Sequence, residues 1–222
     1  MKNIIFWNVD TQKDFMLKNG KLYVPGAEEI IPKLKEITEL GKKSNIQIIN
    51  TGDLHNENSS ELSDNPNFKT TFPPHCTIDS EGMEFIDETN PTTSKNYCAI
   101  PWFDTEAPIP EDTIKKYSNI IIYKDDFDVF KGNKFTDNLL KMLNPKVVVV
   151  YGVATDVCVK FAIQGLLKRN IIVILIEDAI KGLGDCKQLI EEWKKKQVLV
   201  ITMDKLKNLI NLSLKVSKVL KI

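Results

Sequence analysis

Six short, unbroken apolar runs limit what this chain can fold into: Ile4–Val9, Ile46–Asn50, Ile120–Tyr123, Val147–Tyr151, Ile171–Ile176 and Val198–Thr202. Runs of this length without polar alternation are expected of strands covered on both faces. Segments of helical period separate them. Glu28–Lys43 places Ile30, Ile31, Leu34, Ile37 and Leu40 on one face, and Phe135–Leu143, Val157–Lys168, Leu189–Lys196 and Leu206–Leu220 follow. Parallel neighbours need crossover connections, so the alternation predicts a mainly parallel sheet with helices on both sides. The expected class is α/β, a three-layer α/β/α sandwich around a six-stranded, mainly parallel sheet. A chain of 222 residues is long enough for one well-buried domain of this kind and short for two, so 1–222 is read as a single domain. Residues 77–117, rich in proline and acidic side chains, interrupt the alternation. They are read as an elaborated excursion over one edge, suited to a lid or an oligomer contact.

Charge narrows the partners. Thirty basic residues balance thirty acidic ones, so no net field draws the chain to nucleic acid or to an anionic membrane. Arg169 is the sole arginine and closes a lysine-rich helix end, which argues against a bidentate clamp for carboxylate or phosphate. Four cysteines, Cys76, Cys98, Cys158 and Cys186, are too irregularly spaced for a disulfide framework. The apolar run Ile4–Trp7 is cut by Asn8 and Asp10, too early for a secretory signal, and no stretch approaches a membrane span. A cytoplasmic protein is expected.

On this frame the reactive side chains gather. Asp10 follows the first strand, Asp53 and His55 the second, Lys124 the third, and Cys158 the fourth. In a parallel sheet those ends share one edge, where open α/β folds place their sites. Each alone has a bland reading, as a turn cap, a solvated lysine or a buried thiol acting as a small hydrophobe. Four strands delivering a titratable group to one rim favour a site.

The two histidines sharpen the case. Asp53 and His55 are two apart, so in extended chain they point to one side. His75 follows the rigid Phe72-Pro73-Pro74. One carboxylate and two imidazoles make a sensible ligand set for a divalent transition ion, with positions left for water or substrate. Glu61 is a possible fourth ligand. Cys76 is a rival, but adjacent residues of extended chain point oppositely, so His75 and Cys76 are not expected to serve together.

With the histidines on a metal, Asp10 and Lys124 remain to activate Cys158. An ammonium and a helix N-terminus lower a thiol's pKa, and a carboxylate can take and return its proton. The turn Gly152-Val153-Ala154-Thr155 leads from strand to helix, and its N–H groups, with that of Cys158, could form an oxyanion hole. The chemistry pointed to is acyl transfer.

Together these motifs resemble the isochorismatase-like cysteine hydrolases: Asp10 in NVDTQKDFM, Lys124 in YKDDFDVF and Cys158 in GVATDVCVKFA. DLH at 53–55 and FPPHC at 72–76 look like the metal-binding nicotinamidases of that superfamily. The resemblance covers nearly the whole chain. It implies a six-stranded parallel sheet, an Asp10–Lys124–Cys158 triad, a cis Val153–Ala154 peptide, and an oxyanion hole at Ala154 and Cys158. It further implies one divalent metal ion, zinc first with iron or manganese as alternatives, whose open position takes the pyridine nitrogen of nicotinamide. Phe15, Phe72 and Phe127 sit where nicotinamidases wall that ring. The expected reaction converts nicotinamide and water to nicotinate and ammonia, as in NAD salvage, by a cytoplasmic homo-oligomer acting on a small neutral amide. An amidase for a ureido or carbamoyl compound and a non-catalytic metal- or ligand-binding relative are the alternatives. An isochorismate-type hydrolase would bind a dicarboxylate, which the shortage of arginine disfavours.

Overall fold

The computed structural model describes residues 3–103, 110–196 and 198–219. Its elements in chain order are β1 (Ile4–Val9), α1 (Lys13–Met16), α2 (Ile31–Ser44), β2 (Ile48–Asp53), β3 (Tyr97–Ile100), α3 (Glu111–Ile114), β4 (Asn119–Lys124), α4 (Val129–Gly132), α5 (Thr136–Leu143), β5 (Val147–Val153), α6 (Cys158–Lys168), β6 (Ile172–Lys181), α7 (Lys187–Lys195), β7 (Leu199–Ile201) and α8 (Met203–Val219). One sheet takes them in the order β3-β4-β2-β1-β5-β6-β7, and every pairing is parallel. The α/β expectation is met, with one correction.

The sheet has seven strands, not six. The added one, β3, lies inside the excursion at 77–117 and pairs with β4, Cys98 opposite Ile120. It is four residues long, and only Ile100 is fully buried. An edge strand this short and this exposed has no need of a continuous apolar run, so its sequence carries no strand signal. Residues 104–109 of the excursion, and Leu220 at the end of the last expected helix, lie outside the described residues.

Three strands also outrun their apolar cores. β2 continues through Gly52 to Asp53, β5 to Val153, and β6 through Glu177 and Asp178 to Lys181. Backbone pairing carries on where the side chains change character, at the end of the sheet where the reactive groups gather.

Side-chain alternation divides the core between the two faces. Ile5, Trp7 and Val9 of β1 join Val148 and Val150 of β5 and Val159, Ile163 and Leu166 of α6 on one side. Phe6, Val149, Tyr151 and Val153 face the other, against Leu34 and Ile37 of α2 and Leu206 of α8. Each such side chain contributes about 1.5–3 kcal/mol on burial. The expected helix at Glu28 starts later: Ala27–Ile30 is a 3-10 turn entered through left-handed Gly26, and α2 begins at Ile31 with Pro32 in its first turn.

The chain departs from central β1 to one side for β2, β4 and β3, then to the other for β5, β6 and β7. That reversal makes the β1/β5 boundary the topological switch point, with a crevice beyond its carboxyl ends. Gly152 permits the close approach there. Its φ is +115°, and a Cβ would stand 2.1 Å from the Val9 carbonyl oxygen.

Candidate active site

Register builds the first part of the site. Parallel pairing sets Asp53 opposite Lys124, and Val9 opposite both Thr51 and Gly152. Asp10, one residue past Val9, therefore meets the same edge. The Lys124 ammonium lies 3.0 Å from Asp10 Oδ2 and 3.7 Å from Cys158 Sγ, and it is ion-paired with Asp53 Oδ1. Thr51 Oγ1 donates to Asp10 Oδ1 at 2.6 Å. Asp10, Asp53, Lys124 and Cys158 are all buried. The strand-end groups expected to share one rim do share it.

Cys158 is the first residue of α6, reached through a turn with a cis Val153–Ala154 peptide. The turn's hydrogen bonds are selective. Thr155 N–H donates to Lys181 O, and the N–H groups of Val157 and Val159 both return to Ala154 O. Those of Ala154 and Cys158 have no backbone acceptor among the described residues.

Beside this group Asp53, His55, Glu61 and His75 each bring a ligand atom to within 4.8 Å of the others, all buried. Asp53 Oδ2 lies 3.5 Å from His75 Nε2 and 3.8 Å from His55 Nε2. His55 Nε2, His75 Nε2 and Glu61 Oε2 are buried without a hydrogen-bond partner. Such orphans are costly unless something satisfies them. The opposite nitrogens are occupied: His55 Nδ1 lies 2.8 Å from Asp125 Oδ1 and His75 Nδ1 2.7 Å from Pro73 O. Rings held at Nδ1 with Nε2 turned inward, beside two carboxylates, fit a divalent transition ion. Cys76 is no part of the cluster; its sulfur turns to Gly82 O at 3.7 Å.

Electrostatics follow from burial and one cation. Burial pushes the Cys158 thiol well above its ordinary range; Lys124 pulls it back, while Asp10 and Asp53 push it further up. Burial likewise raises the Asp10 carboxyl, against the attraction of Lys124. At Asp53 burial also acts upward, but Lys124 and the two imidazoles outweigh it and hold the group well below the usual carboxylate range. Burial opposes the Lys124 charge, yet Asp10 and Asp53 prevail and keep it an ammonium. Burial lowers His55, but the neighbouring carboxylates of Asp125 and Asp53 outweigh it and raise the imidazole to about 9. Glu61 rises to about 7, through burial and then repulsion by Asp53.

Both groups open on one small cavity. Cys158, Asp53, Glu61 and His75 face it, and Phe15, Phe72, Leu22, Val24, Val157 and Leu183 wall it. The Phe15 and Phe72 rings meet the His75 ring at 5.3 and 6.4 Å between centroids. Phe127 is not in this wall. Its ring packs on Phe161 of α6 at 4.8 Å, part of the apolar layer on that face of the sheet.

Several residues at the site carry no reading from sequence. Gln12 bonds Asp53 like an extra rung of the sheet: its Nε2 donates to Asp53 O, and its Oε1 accepts from Asp53 N, each at 2.7 Å. The same amide donates to Met83 O at 2.7 Å, and Trp102 Nε1 donates to Leu54 O at 2.7 Å; both tie the excursion to the rim. Asp14 Oδ2 accepts from Cys76 N at 2.7 Å, just past His75. Asp125 and Leu183 complete the set. Asp125, next to Lys124, and Asp14, next to Phe15, lay beside residues marked by sequence.

A family model described as the Isochorismatase domain matches residues 103–205, the stretch that holds Lys124 and Cys158. No curated protein matches the chain significantly. Among solved structures, the pyrazinamidase of Pyrococcus horikoshii in complex with zinc is 27% identical with a TM-score of 0.68, over 90% of this chain and 99% of that one. The pyrazinamidase/nicotinamidase of Streptococcus mutans is 19% identical with a TM-score of 0.68, over 89% and 99%. N-carbamoylsarcosine amidase of Thermoplasma acidophilum is 20% identical with a TM-score of 0.68, over 91% and 97%. The latter two likenesses speak for the fold alone. With residues 103–205 matching the Isochorismatase domain and 90% of the chain sharing its fold with the zinc-bound pyrazinamidase, this chain is similar to the isochorismatase-like hydrolases.

Proposed function

We propose that this protein is a metal-dependent cysteine amidohydrolase acting on a small neutral heteroaromatic carboxamide, nicotinamide first, and releasing ammonia and the acid. One observation carries the reading: the thiol cluster and the metal-ligand cluster share Asp53 and open on one apolar cavity. The similarity to a pyrazinamidase supports the same substrate class.

Asp10, buried with a carboxylate oxygen within 4.8 Å of Cys158 Sγ, takes the thiol proton. Lys124 stabilises the resulting thiolate, which attacks the amide carbon. The carbonyl oxygen gains charge against the free N–H groups of Ala154 and Cys158, which act as its oxyanion hole. Asp10 returns the proton to the departing nitrogen, ammonia leaves, and a thioester remains. Water then gives a proton to Asp10 and its hydroxide to the carbonyl, freeing the acid and restoring the thiol. Asp53, His55 and His75, with Glu61, would hold one divalent ion, zinc before iron or manganese. When bound, that ion supplies a Lewis-acidic position for a ring nitrogen. Phe15 and Phe72 flank the ring, and the absence of arginine from the wall disfavours charged substituents.

The test is ammonia release from nicotinamide, pyrazinamide, benzamide, N-carbamoylsarcosine and urea, with and without chelator. Release from the first two, lost on chelation, is expected. Release from the carbamoyl compound alone would move the assignment to the ureido branch.

A further inference from the structure

We propose that Asp125 is a positioning residue for the metal cluster. A single carboxylate oxygen holds the His55 ring and, through Ser59, the turn that carries Glu61 inward. The inference rests on the metal-binding reading above.

The contacts converge on one atom. Asp125 Oδ1 lies 2.8 Å from His55 Nδ1 and also accepts a hydrogen bond from Ser59 Oγ. Ser59 Oγ in turn accepts from Asn56 N at 3.0 Å. Backbone bonds from Ser59 N to Asn56 O and from Leu62 N to Ser59 O close the turn that follows His55. Glu61 sits inside that turn, two residues beyond Ser59. Both Ser59 and Glu61 are buried, and Glu61 Oε2 has no partner. Two of the four inward-facing groups therefore depend on one side chain at the end of β4.

Three physical consequences follow. A carboxylate can only accept, so the bond to Asp125 puts a proton on His55 Nδ1 and leaves Nε2 as the nitrogen facing the cluster. The bond also fixes ring rotation, which the 3.8 Å approach of Nε2 to Asp53 cannot do alone. Negative charge behind an imidazole strengthens it as a donor. The second histidine is held differently. His75 Nδ1 meets Pro73 O, two residues away in its own rigid loop, so its placement is local. That of His55 and Glu61 is borrowed from a strand 70 and 64 positions further along the chain, counted from the sequence.

A simpler account makes Asp125 only an anchor for the loop through Ser59. The two accounts differ in a measurable way. If the loop were all that Asp125 serves, Ser59→Ala and Asp125→Ala would weaken metal retention equally. If Asp125 also orients His55, its loss costs more than loss of Ser59.

The experiment uses protein loaded with Zn²⁺ and competed against a chromophoric chelator at fixed pH, reading the Zn²⁺ dissociation constant. Asp125→Ala should weaken Zn²⁺ about 10–100-fold, the usual scale for a carboxylate behind a ligating histidine. Ser59→Ala should lose less, and Asp125→Asn, which keeps the acceptor oxygen without the charge, should fall between wild type and Asp125→Ala. Asp125→Ala within twofold of wild type overturns the proposal, as does a Ser59→Ala loss equal to that of Asp125→Ala. Should Asp125→Ala fail to fold, Asp125→Asn decides: affinity equal to wild type removes the carboxylate's role. The double variant His55→Ala/His75→Ala separates the two readings. Wild type that binds Zn²⁺ no better than this double variant sinks the metal site and this proposal with it. Strong wild-type binding left unchanged in Asp125→Ala sinks the proposal alone.

Discussion

The ammonium of Lys124 stands 3.7 Å from the sulfur of Cys158, between the carboxylates of Asp10 and Asp53. Burial and the nearest carboxylates favour the neutral thiol. Lys124 is the one strong opposing influence. The arrangement suits a nucleophile kept protonated until a substrate displaces solvent and Asp10 can take the proton.

The first prediction follows from those signs. Lys124→Met removes the influence that lowers the thiol, so Cys158 should alkylate more slowly at neutral pH and its profile should move to higher pH. Asp10→Asn removes a charge that raises the thiol, so its profile should move to lower pH. Iodoacetamide labelling of the Cys158 peptide, followed by mass spectrometry across pH, reads both. Shifts in the same direction would refute the electrostatic account.

Turnover should respond differently from labelling. Asp10→Asn, though its thiol ionises more readily, loses the group that protonates ammonia, and kcat should fall about 10²–10⁴-fold. His55→Ala should chiefly raise KM for nicotinamide, with some loss of kcat from misorientation. Steady-state kinetics of both variants checks the division of labour, and a purely kcat effect in His55→Ala would contradict it.

Metal affinity should rise with pH. Without metal, His55 titrates at about 9 and Glu61 at about 7. Both must be deprotonated to ligate, so below those values a proton competes with the metal at each group. Zn²⁺ affinity should therefore climb from pH 6 to pH 9, with proton uptake on metal removal. Competition titrations over that range, with pH-stat proton counting, test it; a flat profile would remove His55 and Glu61 as ligands.

Gly152→Ala should destabilise the whole fold. The residue sits at φ +115°, and an added Cβ would meet the Val9 carbonyl oxygen at 2.1 Å. Strain of this kind costs about 1–3 kcal/mol before the clash is counted. At about 2–4 °C per kcal/mol for a chain of this size, Tm should fall by at least several degrees. Calorimetry reads the change, and an unaltered Tm would mean that the β1/β5 contact relaxes.

The order of elements was written in the chain. Apolar runs such as Val147–Tyr151 and amphipathic stretches such as Val157–Lys168 specify buried parallel strands and the helices that cover them. Parallel strands point their carboxyl ends one way, so Asp10, Asp53, Lys124 and Cys158 were legible as neighbours before any coordinates. His55 and His75 were legible for a related reason, one by its spacing from Asp53 and the other by the prolines before it. Tertiary structure decided what depends on distance rather than pattern. β3 exists because β4 offers an open edge, not because Tyr97–Ile100 demands pairing. Phe127 turned to Phe161 and away from the cavity because a ring takes whichever apolar surface packing offers. Gln12 bracing Asp53 and Asp125 behind His55 joined residues 41 and 70 positions apart. A hydrogen bond is made between side chains that meet in space, and sequence spacing sets such a meeting only within one helix turn or one strand.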